Sequence, residues 1–155
     1  MSLLRIGTGG WDFFRVPDEG SLEAYSRGFD FVEVNITYYA FEAGRAVLHW
    51  KRSVPTGFEF SMRCNRRLVR DYCSGKPVNR ERRDLDLVSV QETCKLLDAK
   101  VLTILLHDSS TESVHGIENF FSDFHVKGAR IAVEVRGASP TEELIQVLSK
   151  NDGIH

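Results

Sequence analysis

The sequence predicts an α/β fold, a partial TIM (β/α)8-type barrel in which five parallel strands alternate with helices in one domain over residues 1–155. Two observations lead to this prediction. Short apolar runs alternate with longer segments of helical periodicity along the whole chain. Each predicted strand also has one apolar face, while its other face becomes polar toward the C-terminal end. Such a pattern is typical of a barrel whose inner face forms a site at the top of the strands.

The first half of the chain contains three predicted strands, over residues 3–7, 29–35 and 58–63, which are rich in apolar, β-branched and aromatic residues. The first strand ends in a Gly-Thr-Gly-Gly turn. A helix is predicted over 21–27, with Ser21 as a possible cap, and a second helix over 43–52, which stops before Pro55. The polar, basic stretch after the third strand is assigned no regular structure.

The second half continues the alternation. Apolar residues from Leu87 to Leu97 recur at helical spacing, so a helix is predicted over 80–98. A nearly all-apolar strand over 100–107, a helix over 111–124 and a strand over 129–136 follow. The last helix is predicted over 139–150, with Pro140 in the favoured first position. Parallel strands joined by helices imply right-handed crossovers.

Side chains alternate across a strand, so residues two apart share a face. A parallel sheet that helices cover on both faces is apolar on both. In this chain, one face of each predicted strand is polar toward its C-terminal end, and a barrel lumen explains this departure from the rule. The alternatives are a half-covered sheet whose polar face meets solvent and an ion-pair network that satisfies only itself. The polar side chains expected to converge at the C-terminal ends of the strands are Glu33, Asn35, Arg63, His107, Glu134 and Arg136.

An open doubly wound sheet is the competing architecture. The glycine-rich turn at residues 7–10 has some likeness to a dinucleotide-binding loop, but it does not match the G-x-G-x-x-G fingerprint. A barrel is therefore the preferred prediction.

Composition indicates a globular protein whose attraction for anions must be local. The chain is 42% hydrophobic and 27% charged, with a net charge of −2. Its three cysteines form neither a C-x-x-C pair nor a zinc motif, which fits a reducing compartment. No apolar run reaches the ~18 residues of a membrane span, and the N-terminus lacks a signal-peptide pattern. A cytoplasmic protein that does not bind membranes is expected.

Four segments, taken in order, resemble one known family. They are RIGTGGW at 5–11, FVEVNITYY at 31–39, WKRSVPTGFEFSMR at 50–63 and AVEVR at 132–136. Together they are similar to the signatures of the YecE-like family, a domain of unknown function. The resemblance implies a TIM barrel of unassigned biochemical function. Arg63 stands where that family usually has lysine, and Leu106-His107 stands near its L-x-Q-L-P segment.

The resemblance also raises the question of completeness, because an ordinary barrel has ~250 residues. The sequence is expected to stop before a sixth strand. Strands one and five would then present open edges that invite pairing with another chain. Either the sequence is a fragment of a longer protein or a second copy covers the gap. A homo-oligomer is expected if the sequence is complete as given.

The candidate catalytic residues are Glu33 and Glu134, a pair of carboxylates suited to general acid–base work. The alternative is that each pairs structurally with an arginine. No cofactor is predicted. A divalent metal held by Glu33, His107 and Glu134 is an alternative, although no second His or Asp stands at a strand end to complete its shell.

Trp11, Tyr38 and Tyr39 flank the same end of the strands, where their rings could stack on a base or a sugar. The alternative is that they plug the barrel mouth by hydrophobic packing, which is the simpler role for Trp11. The candidate ligand-binding residues are Trp11, Asn35, Tyr38, Arg63, Arg66, His107 and Arg136.

The segment from residue 63 to residue 83 carries eight basic residues, opposed by Asp71 and Glu81. Arginine forks suit phosphate, so the predicted function is to bind, or to hydrolyse, a phosphate-bearing anionic small molecule at the strand C-termini. The alternative function is a non-catalytic nucleic-acid-binding module that uses this segment. A further alternative is a solvated helix face whose cations pair with Asp84 and Asp86. The basic residues are Arg63, Arg66, Arg67, Arg70, Lys76, Arg80, Arg82 and Arg83.

Overall fold

The structure, a computed structural model, describes residues 4–155. Five parallel strands form one sheet in the order β1-β2-β3-β4-β5. The strands are β1 Gly7–Gly9, β2 Phe31–Val34, β3 Glu59–Arg63, β4 Val101–Leu106 and β5 Arg130–Val135. The helices are α1 Ser21–Ser26, α2 Gly44–Arg52, α3 Arg66–Cys73, α4 Arg80–Leu97, α5 Thr111–Asp123 and α6 Glu142–Lys150, with a 3-10 helix at Ile36–Tyr38.

The strand order is the sequence order, which decides between the two competing architectures. A doubly wound sheet reverses direction at a switch point, so its strand order is not sequential. A (β/α) barrel adds each new strand next to the preceding one. The predicted alternation of five parallel strands with helices is confirmed.

The first strand begins four residues later than predicted and ends two residues later. Gly7–Gly9, expected as a turn, forms the strand and pairs with β2. At Gly7 a Cβ would lie 2.0 Å from the carbonyl oxygen of Phe31, so only glycine permits this approach. Leu4 and Ile6, expected on the apolar face, are 83% and 64% exposed. That part of the prediction is wrong, and Leu3 lies outside the described residues.

Helix α3 was not predicted, because its four charged residues obscure the apolar stripe. Its buried face carries Leu68, Val69 and Tyr72, and the Asn65 side chain caps it by accepting a bond from the backbone N–H of Arg67 at 3.0 Å. The basic stretch is therefore helical from its beginning.

Two predicted helix starts also need correction. Helix α1 is preceded by Gly20 in the cap position, and no side chain caps it, so Ser21 is not the cap. Helix α6 begins at Glu142, after a Thr141 cap whose hydroxyl accepts from the N–H of Leu144. Pro140 thus precedes the cap, where its fixed backbone leads into the helix without being part of it.

The core lies between one face of the sheet and the helices that cover it. Alternate strand residues such as Val32, Phe60, Leu102 and Ile104 are at most 1% exposed on this face. Each such side chain contributes about 1.5–3 kcal/mol by leaving water. For β2 to β5 the residues between them point to the opposite side, as the alternation predicted. This opposite side is called the lumen below.

The far edge of β5 is partly occupied. Ile154 forms a parallel bridge with Ala132: the N–H of Val133 donates to the Ile154 oxygen, and the N–H of Ile154 donates to the Ile131 oxygen, both at 2.9 Å. The expectation of a fully open β5 edge, with nothing in the position of a sixth strand, is therefore wrong. Self-association of the chain stays a prediction. Over residues 4–155, no helix combines the length and the apolar character needed to cross a membrane.

Candidate functional site

Glu33 is held by two side chains of the lumen. Arg63 donates from Nε to Glu33 Oε1 at 2.6 Å, and Thr103 donates from its hydroxyl to Glu33 Oε2 at 3.0 Å. Strands β2, β3 and β4 bring these groups together, because their parallel register places all three on the lumen side. Both carboxylate oxygens are engaged. Sequence reasoning placed Thr103 on this face but did not identify it as a site residue.

Glu134 continues the same network on β5. Arg63 Nη2 lies 3.4 Å from Glu134 Oε2, and Arg136 Nε donates to Glu134 Oε1 at 2.8 Å. We call Glu33, Arg63, Thr103, Glu134 and Arg136 the lumen network. Its two carboxylates and two guanidinium groups alternate and cancel in charge. The Glu134 side chain is 39% exposed, against 18% for Glu33, so Glu134 is the more accessible carboxylate.

Arg136 links this network to an aromatic wall. The adjacent Glu134 carboxylate raises the pKa of Arg136 most strongly, and the phenol groups of Tyr38 and Tyr39 add a smaller electrostatic contribution in the same direction. Arg136 therefore stays protonated and lies near the tyrosines that follow β2.

Asn35 occupies the end of β2 on the lumen side. Its side chain fills the space that a Cβ at Gly9 would take, since that Cβ would lie 2.6 Å from Asn35 Nδ2. Its Oδ1 atom is buried and has no hydrogen-bond partner among the described residues. A buried acceptor left without a partner is uncommon, and a ligand donor would satisfy it.

Trp11 has a packing role. Its ring meets Trp50 edge to face, with ring centroids 5.4 Å apart, and it packs against the hydrophobic core. It does not line the cavity described next. Trp11 therefore has the hydrophobic packing role that was predicted as the simpler alternative to ligand binding.

A cavity of about 680 Å³ opens at the C-terminal ends of β3 and β4, between the 3-10 helix, α3 and the start of α5. We call it the rim cavity. It brings together Tyr38, Arg66 and His107 from the predicted ligand-binding set. The other residues of its wall are Tyr39, Phe41, Asn65, Arg67, Val69, Arg70, Cys73, Ser74, Leu105, Leu106, Asp108 and Ser113. Of these, Tyr39 was considered as a stacking ring, and Arg67 and Arg70 were named only as members of the basic segment.

The three arginines of the rim cavity differ in their partners. Arg67 is fixed by Asp86 through two bonds of 2.8 and 2.7 Å, and its guanidinium also lies over Phe41. Arg70 lies 3.7 Å from the neighbouring Asp71. Arg66 forms no ion pair with a carboxylate within residues 4–155, and its guanidinium stands 5.6 Å from the ring centroid of Tyr39. Arg66 is therefore the cation of the cavity most available to an anion.

Most of the basic segment is neutralised by the protein itself. Five of its eight basic residues pair with carboxylates. Two of these pairs, Arg67 with Asp86 and Arg83 with Asp84, are those that the alternative of a solvated helix face expected, while Asp71 and the lumen carboxylates hold the other three. Only Arg66, Lys76 and Arg80 lack such a pair among the described residues. The segment is therefore a packed helix surface more than a continuous positive stripe.

The far wall of the rim cavity is the start of α5. Asp108 accepts from the hydroxyl of Ser113 at 2.7 Å and from the N–H of Ser110 at 3.1 Å. These hydrogen bonds, that from Ser113 first, lower the pKa of Asp108. Asp108 therefore stays ionised and stabilises the first turn of the helix, while the neighbouring His107 is exposed.

Cys73 lines the same cavity and offers a direct test of its environment. Burial, followed by the charge of Asp108, raises the pKa of its thiol to about 12. Because only the thiolate reacts, we expect Cys73 in the folded chain to be alkylated by iodoacetamide at pH 8 at least ~100-fold more slowly than in the urea-unfolded chain. Mass spectrometry over time measures this rate. Rapid labelling of one thiol that Cys73→Ser abolishes would contradict the buried environment.

Glu33, His107 and Glu134 do not form a metal site together. Over residues 4–155, no three His, Cys, Asp or Glu side chains are grouped so that they could hold a metal ion. The lumen carboxylates are surrounded by arginines instead, and guanidinium groups compete with a cation for the same oxygens.

Comparison with known proteins identifies the fold and the family. A DUF72 family protein of Enterococcus faecalis V583 superposes with a TM-score of 0.74 at 18% identity, over 97% of this chain and 59% of that one. A DUF72 family protein of Thermotoga maritima MSB8 gives 0.73 at 20% identity, over 96% and 62%. D-psicose 3-epimerase, solved in the presence of D-fructose, gives 0.64 at 15% identity, over 85% and 53%.

These likenesses establish an α/β fold of the TIM-barrel type. The chain spans about three-fifths of the length of the DUF72 structures that it matches. No curated protein matches its sequence. The family described as "Protein of unknown function DUF72" matches residues 5–154. The chain belongs to the DUF72 family.

Proposed function

We propose that the rim cavity binds a phosphate-bearing small molecule and that Arg66 holds the phosphate. The observation that supports this proposal is that Arg66 faces the cavity without a carboxylate partner among residues 4–155. A guanidinium presents a planar fork of donors that matches two phosphate oxygens. The cavity volume of about 680 Å³ also falls within the range of ordinary small-molecule sites.

The charge balance of the cavity favours an anion. Its wall carries Arg66, Arg67 and Arg70 against one carboxylate, Asp108. From outside the wall, Asp86 pairs with Arg67, and Asp71 is shared by Arg70 and Arg82. Four arginines, with Arg82 included, against the three carboxylates Asp71, Asp86 and Asp108 leave a surplus of one positive charge before His107 is considered. An anion near Arg66 and Arg70 gains from this field at short range, although the chain as a whole has a net charge of −2.

Arg63 and Arg136, predicted to hold the anion, have another role in this proposal. Both are bound to lumen carboxylates, so their charge is already balanced. We assign acid–base chemistry to Glu134 in preference to Glu33, because its side chain is 39% exposed against 18% and its contact with Arg63 is longer, at 3.4 Å against 2.6 Å. Glu134 is also next to the cavity, since it pairs in register with Leu105 of the cavity wall. Hydrolysis of the ligand remains a hypothesis.

Arg66→Ala tests the binding site. We expect the chain to bind phosphate monoesters, with adenosine monophosphate and ribose 5-phosphate as probes, and Arg66→Ala to weaken that binding at least ~10-fold, because a charged hydrogen bond contributes about 1.5–3 kcal/mol. Arg66→Lys keeps the charge but loses the fork, so its affinity should be intermediate. Isothermal titration calorimetry measures the dissociation constants.

Arg80→Ala is the matched control, because Arg80 is exposed, begins α4 and lies outside the cavity wall. It should leave binding unchanged. Equal binding by wild type and Arg66→Ala would contradict the proposal, as would the failure of both probes to bind. Preference for a single-stranded oligonucleotide, with affinity falling steeply as salt rises, would favour the nucleic-acid alternative instead. That alternative has less support, because five of the eight cations in its segment are already paired.

A further inference from the structure

We infer that the preferred ligand carries a planar aromatic group as well as its phosphate and that this group stacks on Tyr39. The inference rests on the proposed function, since it concerns the rest of the molecule whose phosphate Arg66 holds. It selects nucleoside monophosphates and aryl phosphates over aliphatic sugar phosphates.

The first step is the exposure of Tyr39. Its ring is 67% exposed, which is unusual for a large aromatic side chain that the fold could have buried. Tyr38 meets it edge to face, with ring centroids 5.0 Å apart, and thereby limits its rotation. The Arg66 guanidinium lies over one face of this ring, so a ligand group can stack on the opposite face. The wall therefore presents a fixed aromatic surface to the cavity.

The second step is the distance between this ring and the cation. The guanidinium carbon of Arg66 stands 5.6 Å from the Tyr39 ring centroid. A phosphate bound to a guanidinium lies at hydrogen-bond distance, about 3 Å from its nitrogens. The phosphate therefore lies close to the Tyr39 ring, and a planar group joined to it directly or through a ribose can reach that ring. Such a group can stack on the ring, while a hydroxylated sugar alone offers it little surface.

The third step is the apolar part of the cavity wall. Val69, Leu105 and Leu106 line the cavity, although each exposes only 3–7% of its surface, and Phe41 adds a further aromatic side chain. A flat, apolar ligand group that contacts Tyr39 and these side chains loses contact with water. The same cavity thus offers a cation to a phosphate and apolar side chains to a ring.

The test compares two probes that share ribose 5-phosphate and differ by the adenine ring. Base–aromatic stacking predicts that adenosine monophosphate binds about tenfold or more tightly than ribose 5-phosphate. Tyr39→Leu removes the ring and keeps an apolar side chain, while Tyr39→Phe is the matched control that keeps the ring. Calorimetry on wild type and both variants, with Arg66→Ala beside them, gives all the dissociation constants. Thermal melting confirms that each variant is folded.

We expect Tyr39→Leu to lower the affinity for adenosine monophosphate toward that for ribose 5-phosphate, without changing the latter. Tyr39→Phe should retain the preference, and Arg66→Ala should weaken both probes. Equal affinities of wild type for the two probes, or equal losses for both in Tyr39→Leu, would overturn this inference while the proposed function stands. If neither probe binds wild type, or Arg66→Ala leaves both affinities intact, the proposed function fails and this inference fails with it.

Discussion

Gly116→Ala is expected to destabilise the fold by about 2–4 kcal/mol, although alanine is normally the better helix residue. Gly116 lies within α5, on the side that meets α3. A Cβ there would stand 2.5 Å from the Tyr72 oxygen, 2.8 Å from the Tyr72 carbonyl carbon and 2.7 Å from the Cα of Cys73. All three are backbone atoms, so no side-chain rotation can relieve the clash. The two helices would have to separate.

Urea unfolding followed by circular dichroism measures this change in the free energy of unfolding. The control is Asn119→Ala, an exposed position one turn further along α5. In an exposed helix interior, alanine is favoured over asparagine by a few tenths of a kcal/mol, so the control should be neutral or slightly stabilising. A neutral or stabilising Gly116→Ala would show that α3 and α5 do not pack as described.

The contact at Gly116 also matters for the rim cavity. Helix α3 carries Arg66, Arg70 and Cys73 on one wall, and α5 carries Ser113 on another. Separation of the helices would displace these walls from each other. Gly116→Ala is therefore expected to weaken ligand binding as well, without any change to a group that touches the ligand.

The sequence determined the lumen face well for four strands and poorly for the first. In β2 to β5 two sets of alternating side chains differ sharply in polarity, so a shift by one residue would bury Glu33 or Glu134 in the core. In β1 the paired residues are Gly7, Thr8 and Gly9, which carry no apolar alternation. Their position depends on the close approach of the Gly7 backbone to the Phe31 carbonyl oxygen. In the sequence, only the glycine itself indicates such a contact.

The rim cavity was beyond sequence reasoning for a different reason. The availability of Arg66 depends on which arginines find carboxylates, and Asp86 and Asp71 reach Arg67 and Arg82 only after α3 and α4 have packed together. Eight neighbouring basic residues look alike before that packing is known. The lumen network was closer to prediction, because residue type and strand position are visible in the sequence. The sheet register decides which carboxylate each arginine binds. It also decides that the Thr103 hydroxyl donates to Glu33.

Arg63→Met should destabilise the fold by about 2 kcal/mol at neutral pH. Methionine keeps much of the apolar stem but leaves Glu33 and Glu134 together on the lumen side without the cation between them. Loss of one partner of a buried ion pair costs about 3–5 kcal/mol. Arg63 and Glu33 remain about a fifth exposed, at 20% and 18%, so water compensates part of that loss. The expected destabilisation is therefore about 2 kcal/mol, below the range for a fully buried pair.

A double-mutant cycle with Glu33→Gln separates the ion pair from simple packing. Glutamine keeps the shape of Glu33 and removes its charge, so Arg63→Met should be less harmful in the Glu33→Gln background than in wild type. The control is Lys100→Met, which breaks an exposed pair with Asp98 and should change stability by at most about 1 kcal/mol. Equal effects of Arg63→Met in both backgrounds would mean that Arg63 does not hold Glu33.

Adenosine monophosphate binding by Arg63→Met adds a second readout. Because this arginine balances carboxylates and does not line the rim cavity, the folded variant should retain the affinity that Arg66→Ala loses.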